Sequence, residues 1–217
     1  MINLCFHGID RPTRELEPGE RPYWIAKATF LEVLDLVADR GDVTLSFDDG
    51  NASDVEIGLP ALEERGLRAS FFVLAGRLDA PGSLTRADVR ALAAAGMTVG
   101  SHGMDHVPWR RLDDARARRE LVDARALIAE ASGRPVTEAA CPLGRYDRQL
   151  LQRLRHLGYQ RVYTSDRAEA RPGSWLEARF SVTAADSAAT VRADVLDGQP
   201  FARRARTRAA TLVKRLR

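Results

Sequence analysis

The chain has 217 residues, of which 45% are hydrophobic and 29% are charged, as in a globular protein with a large core. No apolar run reaches about 18 residues and no secretory signal pattern opens the chain, so we expect a cytoplasmic protein without a membrane span. The two cysteines, Cys5 and Cys141, predict no disulfide framework, and the body of the chain is not basic enough to indicate a nucleic-acid partner.

The net charge of +3 comes largely from the carboxyl-terminal end. Residues 201–217 contain many arginines, one lysine and no acidic residue. We expect residues 1–200 to form a single domain and residues 201–217 to form a basic helix or tail. This tail is either solvated or in peripheral contact with an anionic membrane surface.

Predicted strands and helices alternate along the chain. Apolar or alternating runs predict seven strands, at 2–6, 43–47, 69–74, 97–101, 136–141, 160–164 and 177–182. Helical spacing predicts helices at 28–39, 53–65, 85–95, 113–131, 147–157 and 186–196, and residues 9–26 read as a loop. This alternation predicts a parallel sheet with helical crossovers. The number of units favours a closed barrel over an open doubly wound sheet, and no glycine-rich dinucleotide motif follows a strand.

Residues whose side chains or backbone N–H groups can support catalysis follow the ends of several predicted strands. They are His7, Asp48, Asp49, His102 and the turn Pro142-Leu143-Gly144. Because the carboxyl ends of parallel strands meet on one face of a barrel, we expect these residues to form one site. Taken alone, the sequence Asp48-Asp49-Gly50 is also typical of a simple turn at the end of a strand.

His102 and His106 are separated by three residues, so on a helical turn both imidazoles could reach one metal ion. The same spacing also occurs on solvated surfaces. One carboxylate of the pair Asp48 and Asp49 would complete the site, and the other would act as a base beside a metal-bound water.

The same strand ends also offer the other catalytic groups that a hydrolase needs. Water activated in this way would attack a carbonyl group, and a backbone N–H of the turn at 142–144 would stabilise the oxyanion. The leaving amine needs a proton from a general acid, for which His7 is available.

Three motifs carry a resemblance to a known family, and they are Ser46-Phe47-Asp48-Asp49-Gly50, His102-x-x-x-His106 and Pro142-Leu143-Gly144. In order and spacing, over residues 2–183, the chain resembles the NodB-homology polysaccharide deacetylases of carbohydrate esterase family 4. The resemblance implies a distorted (β/α)7 barrel and metal-dependent removal of an acyl group, usually from an amino sugar. It implies that Asp48 is the base, and that Asp49, His102 and His106 bind the metal. By the same resemblance, Leu143 provides the oxyanion N–H. The metal would be Zn²⁺, with Co²⁺, Ni²⁺ or Fe²⁺ as alternatives.

The general acid departs from the usual pattern of this family. The family carries a Leu-x-x-His motif near the carboxyl terminus, whereas no histidine follows His156 here. Leu4-Cys5-Phe6-His7 has the same form and resembles the permuted arrangement of the poly-N-acetylglucosamine deacetylases, so we expect His7 to be the acid. Alternatively, His7 only ends a strand and the acid is missing. Asp166 is a candidate to support His7, or else part of a loop.

The arginine that orients the base is also displaced. Ala140 stands where the third motif of the family normally begins with arginine. Arg179 resembles the arginine found late in related chains and is a candidate replacement, although a surface position is an open alternative.

Candidate substrate contacts are Pro142, Gly144, Tyr146 and Trp109, because they lie in or near the motifs and an aromatic ring can stack on a sugar or simply pack in the core. We expect a deacetylase that acts on an acylated amino sugar, an oligosaccharide or a lipid-linked glycan precursor. The alternatives are a hydrolase of a non-sugar amide on the same barrel and a catalytically silent glycan-binding domain.

Overall fold

The structure is a computed structural model that describes residues 1–198, so the expected basic segment 201–217 lies outside the described residues. The described part contains ten strands: β1 (Ile2–Phe6), β2 (Gly8–Ile9), β3 (Trp24–Ile25), β4 (Val43–Asp49), β5 (Ala69–Val73), β6 (Thr98–Ser101), β7 (Glu138–Ala140), β8 (Arg161–Thr164), β9 (Leu176–Ala178) and β10 (Phe180–Ser181). It also contains seven α-helices: α1 (Lys27–Val37), α2 (Leu59–Glu64), α3 (Arg86–Ala94), α4 (Asp114–Arg118), α5 (Ala124–Ser132), α6 (Arg148–His156) and α7 (Ala188–Val191). Within residues 1–198, no helix combines the length and the apolar character that crossing a bilayer requires.

Eight of these strands form one parallel sheet that closes on itself. The strand order is β10-β1-β4-β5-β6-β7-β8-β9, and every neighbouring pair is parallel. Only Arg179 separates β9 from β10, so one interrupted strand pairs with β8 on one side and with β1 on the other. The predicted strand 177–182 is therefore two short strands, and the predicted distorted (β/α)7 barrel is confirmed.

Side-chain alternation on β4 separates the core from the site. Leu45 and Phe47 face the helical layer, where the ring of Phe47 stacks on Phe71 with centroids 4.6 Å apart and meets the edge of Phe30 from α1. Because successive strand residues point to opposite faces, Ser46 and Asp48 point into the barrel. Strand β4 is thus two residues longer than predicted and carries both acids within it.

The segment predicted as a loop at 9–26 is partly ordered as strand. Strands β2 and β3 form a separate parallel pair in which Gly8 lies opposite Trp24 and Ile9 opposite Ile25. The Trp24 ring covers Gly8 so closely that an added Cβ would collide with it, and Ile9 and Ile25 are buried. The loop prediction was wrong here because a two-residue strand has no periodicity to detect.

Side-chain caps mark the start of two helices. Thr85 and Asp88 form a capping box at the start of α3, and Asp147 caps α6 by accepting a hydrogen bond from the backbone N–H of Leu150. The long helix predicted at 113–131 is α4 and α5 joined by a π-helical turn, Arg119–Asp123. That turn places a buried Glu120, whose contacts shape the site.

Candidate active site

A cleft of about 410 Å³ lies at the carboxyl ends of the barrel strands. It is lined by predicted site residues, namely His7, Asp48, Asp49, His102, His106, Leu143 and Gly144. It is also lined by residues that the sequence reasoning did not single out, among them Glu17, Glu20, Tyr23, Arg145 and Ser165. The structure therefore gathers most of the predicted site from strand ends that are far apart in the sequence.

Asp49, His102 and His106 converge on one point. Nε2 of His102 and Nε2 of His106 each lie 3.5 Å from Oδ1 of Asp49, and ligand atoms of the three residues lie within 4.8 Å of one another. Oδ1 of Asp49 is buried and has no hydrogen-bond partner among the described residues. A buried carboxylate oxygen without a donor, facing two imidazole nitrogens, is the arrangement that a cation would satisfy.

Both imidazoles are oriented through their other nitrogen. Nδ1 of His102 lies 2.9 Å from the carbonyl oxygen of Ala140, and Nδ1 of His106 lies 2.6 Å from Oε2 of Glu17. Since these oxygens only accept hydrogen bonds, Nδ1 of each ring carries the proton and Nε2 keeps a free lone pair. Burial lowers the pKa of His102 to about 4, although the two neighbouring carboxylates act in the opposite direction. The ring is therefore neutral near pH 7, as a metal ligand must be.

The two histidines do not share a helical turn, and this part of the prediction was wrong. Strand β6 ends at Ser101, and the backbone then turns through Gly103 (φ +91°) to His106 (φ +53°). Glu120 accepts hydrogen bonds from the backbone N–H groups of Met104 (2.8 Å) and Asp105 (3.2 Å). An added Cβ on Gly103 would collide with the Glu120 carboxylate, so the loop wraps around this buried acid.

Three candidate site residues have strained backbone. Asp49, His106 and Leu143 have φ of +77°, +53° and +55°, the left-handed region that residues other than glycine seldom adopt. Each such residue costs of order 1–3 kcal/mol, which the surrounding fold must offset. For Asp49, this conformation turns the carboxylate from the line of strand β4 toward the two histidines.

The donor set fits a divalent metal ion. Two neutral imidazoles and one carboxylate leave further coordination positions open, as in catalytic zinc sites. The same donors also suit cobalt, nickel or iron, so the residues do not decide among these ions.

Arg179 holds Asp48 beside this cluster, with Oδ2 of Asp48 3.8 Å from Nε2 of His102. Nη1 of Arg179 donates to Oδ1 of Asp48 at 2.7 Å and Nη2 donates to Oδ2 at 2.6 Å, while Nη1 also contacts Oγ of Ser46 at 3.0 Å. Burial alone would raise the pKa of Asp48, but the charge of Arg179 and its two hydrogen bonds lower it well below its ordinary value. Asp48 is therefore a fixed, ionised carboxylate.

Arg179 lies inside the barrel, and a surface position for it is excluded. Its side chain is 1% exposed, and its guanidinium carbon lies 5.2 Å from the centre of the Phe72 ring and 5.7 Å from that of Tyr163. Ala140 packs in one cluster with these two rings. Ala140 has a small side chain, and the guanidinium reaches the candidate base Asp48 from Arg179 on a different part of the sheet.

His7 lines the cleft near Asp48. Its ring lies 4.7 Å from the ring of Tyr23, and its Nδ1 is buried with no hydrogen-bond partner in residues 1–198. Asp166 accepts hydrogen bonds from the hydroxyl of Tyr146 at 2.7 Å and from that of Thr164 at 2.9 Å. Two hydroxyl groups therefore anchor Asp166, and its support of His7 stays a prediction.

The turn at 142–144 brings Leu143 to the cleft. Leu143 is 55% exposed, whereas Pro142 is buried beneath it. Gly144 packs against Ser165 so closely that no Cβ would fit. Leu143 and Gly144 therefore line the cleft, whereas Pro142, which was also predicted to contact substrate, is buried beneath the turn and does not line it.

Two further predicted substrate contacts, Trp109 and Tyr146, also lie away from the cleft, in the core. Trp109 is 1% exposed, and its indole N–H donates to Oε2 of Glu120 at 3.2 Å. Tyr146 is buried, with its hydroxyl on Asp166. Neither side chain lines the cleft, and the packing alternative holds for both.

Comparison with known proteins identifies the family. The profile of the family described as polysaccharide deacetylase matches residues 37–162. YxkH, a polysaccharide deacetylase candidate of Bacillus subtilis (strain 168), is 26% identical over 124 residues. That match covers 57% of this chain but only 44% of YxkH, so the chain spans less than half of this relative.

Solved structures show the same fold. The structure of BA0330, a polysaccharide deacetylase candidate from Bacillus anthracis, has a TM-score of 0.76 at 17% identity, covering 89% of this chain and 68% of that one. The Streptococcus pyogenes deacetylase PplD, solved in complex with acetate, also has a TM-score of 0.76 at 17% identity, with coverage of 90% and 97%. Because the family profile matches more than half of the sequence, the chain belongs to the polysaccharide deacetylase family.

Proposed function

We propose that the protein is a metal-dependent hydrolase that removes an acetyl or other acyl group from an amino sugar. One observation carries this proposal: a buried, ionised carboxylate, Asp48, is fixed by Arg179 beside a separate triad that fits a metal ion. A divalent ion held by Asp49, His102 and His106 would supply Lewis acidity to an acyl oxygen and to water.

The remaining roles belong to the side chains and backbone of the cleft. Asp48 accepts the proton of the attacking water, and Arg179 keeps this base ionised and oriented. His7 donates a proton to the nitrogen of the leaving amine. The backbone N–H of Leu143 donates a hydrogen bond to the oxyanion that forms from the acyl carbonyl.

The substrate class rests on the family and on the shape of the cleft. The cleft has a volume of about 410 Å³, and the Tyr23 ring beside His7 offers a surface on which a sugar could stack. A deacetylase with acetate bound is among the similar structures, which supports acetyl as the acyl group. We propose an acetylated amino sugar in an oligosaccharide or a lipid-linked glycan precursor, and Zn²⁺ as the metal, with Co²⁺, Ni²⁺ or Fe²⁺ as alternatives.

The test is acetate release from N-acetylglucosamine oligomers by protein that has been stripped with a chelator and then reloaded. We expect the stripped protein to be inactive and activity to return with about one metal ion per chain. Acetate release that is equal in stripped and reloaded protein would overturn metal dependence. Loaded protein that binds the oligomers but releases no acetate would favour a silent binding domain.

A further inference from the structure

A carboxylate from the loop between β2 and β3 contacts one of the candidate metal ligands. Oε2 of Glu17 lies 2.6 Å from Nδ1 of His106, and its Oε1 pairs with the guanidinium of Arg77. Glu17 is separated from His106 by 89 positions in the sequence and also lines the cleft. The side chain of Glu17 is 42% exposed and that of His106 is 9% exposed, so the pair lies between the open side of the cleft and the protein interior.

The loop that carries Glu17 is locked in place by a buried ion pair. Arg14 and Glu20 form a salt bridge, and Arg14 donates to Oδ1 of Asn51 from Nε (3.0 Å) and Nη2 (2.8 Å). Glu20 in turn accepts the backbone N–H of Glu17 at 2.8 Å and the indole N–H of Trp24 at 3.4 Å. Asn51 follows strand β4 closely, so this network fixes the loop to the strand that carries Asp49.

The two candidate ligand histidines therefore have different partners. Nδ1 of His102 donates to a neutral carbonyl oxygen, whereas Nδ1 of His106 donates to a carboxylate. A carboxylate partner fixes the tautomer and the ring orientation of a ligating histidine and makes its free nitrogen a stronger donor. For His106, that nitrogen is Nε2, which faces Asp49.

We propose that Glu17 is a positioning residue that orients His106 and strengthens its bond to the divalent ion. This inference rests on the proposed function, because it assigns a task to a ligand of the proposed metal site. It adds a residue from outside the three sequence motifs, and it connects the loop that lines the substrate cleft to the metal site.

The test is a Zn²⁺ titration of metal-free protein in competition with a chromogenic chelator, for wild type, Glu17→Ala and Glu17→Gln. We expect Glu17→Ala to weaken Zn²⁺ binding by about 10–100-fold. Glu17→Gln keeps an oxygen that can accept from Nδ1 but lacks the charge, so its affinity should lie between those of wild type and Glu17→Ala. Glu15→Gln is the matched control, because Glu15 is exposed in the same loop, and its affinity should equal that of wild type.

A spectroscopic readout separates positioning from general destabilisation. The visible absorption bands of the Co²⁺-loaded protein should shift in Glu17→Ala and stay unchanged in Glu15→Gln, because they report on the ligand field. Equal Zn²⁺ affinity and equal Co²⁺ spectra in wild type and Glu17→Ala would overturn the role of Glu17 while leaving the metal site in place. Wild type that binds no Zn²⁺ would overturn the metal site itself, and with it the proposed function.

Discussion

Arg179 donates to both carboxylate oxygens of Asp48, at 2.7 and 2.6 Å, from the single position at which the closing strand of the barrel changes partners. Strand β9 ends at Ala178 and β10 begins at Phe180, so Arg179 lies at the seam of the sheet. Its side chain points into the barrel, where Asp48 also points. Arg179 therefore joins the two strands that close the barrel and also holds the candidate base, Asp48, in place.

Replacing Arg179 with lysine tests this pairing. A lysine ammonium cannot reproduce two parallel hydrogen bonds to a carboxylate, so we expect kcat to fall about a hundredfold for Arg179→Lys. Because the guanidinium lowers the pKa of Asp48, its loss raises that pKa and moves the acidic limb of the kcat profile to higher pH. The pH dependence of acetate release measures both effects, with Arg148→Lys, an exposed arginine of α6, as control. An acidic limb that stays in place would contradict the role of Arg179.

His7 as general acid predicts a dependence on the leaving group. An amine leaves only when it is protonated, whereas an activated phenolate leaves without help. We expect His7→Ala to lower acetate release from an N-acetyl sugar by about 10²–10⁴-fold and to change hydrolysis of a chromogenic acetate ester much less. Equal losses with both substrates would show that His7 does not protonate the leaving group.

Trp109 is expected to act on stability and not on substrate binding. Trp109→Phe keeps an aromatic side chain but a smaller one, and it removes the N–H donated to Glu120, so a buried carboxylate loses one donor. We expect the free energy of unfolding to fall by about 1–3 kcal/mol, measured in urea, with KM unchanged. A raised KM at unchanged stability would instead place Trp109 in contact with substrate.

The environment of Asp54 predicts that replacing this residue with asparagine stabilises the protein. Both carboxylate oxygens of Asp54 are buried without a hydrogen-bond partner in the described part of the chain. Burial, reinforced by the charges of Asp49 and Asp48, raises the pKa of Asp54 well above its ordinary value. An acid whose pKa is raised on folding costs no stability below its unfolded pKa of about 3.9, and the cost grows as pH rises from there through the folded pKa.

We therefore expect metal-free Asp54→Asn to be more stable than wild type by about 1–3 kcal/mol at pH 7.5 or so, with a smaller gain near pH 4.5. Unfolding in urea at the two pH values measures the difference, and Asp39→Asn, at an exposed position, is the control. A gain that is larger at the lower pH would contradict the assigned direction of the pKa shift.

The ends of the strands could be predicted from the sequence, but the contacts across the barrel could not. The adjacency of Asp48 and Asp49 to a strand, and the caps at Thr85 and Asp147, are local features that periodicity and residue type reveal. The bond between Asp48 and Arg179 joins residues 131 positions apart, and the pattern around Arg179 was equally compatible with a surface position. Such contacts depend on how the sheet closes, which no single segment encodes.

Two other departures have the same origin. The loop from His102 to His106 wraps around a buried acid, Glu120, that comes later in the chain, so the two imidazoles lie together without the helical turn that their spacing predicted. Trp109 and Tyr146 follow the motifs in sequence, yet their polar atoms find partners in the core. Proximity to a motif in the sequence did not distinguish a cleft residue from a core residue.

The most direct test of the account is metal content and acetate release measured together on Asp48→Asn. This substitution keeps the shape of the side chain and leaves Asp49, His102 and His106 intact, so we predict about one metal ion per chain and acetate release lowered by about 10²–10⁴-fold. Bound metal also shows that the variant is folded, which matters because Arg179 loses its buried partner. His156→Gln, an exposed histidine on α6, should match wild type in both measurements. Acetate release at the wild-type rate from metal-loaded Asp48→Asn would contradict the account, because the base would then lie elsewhere.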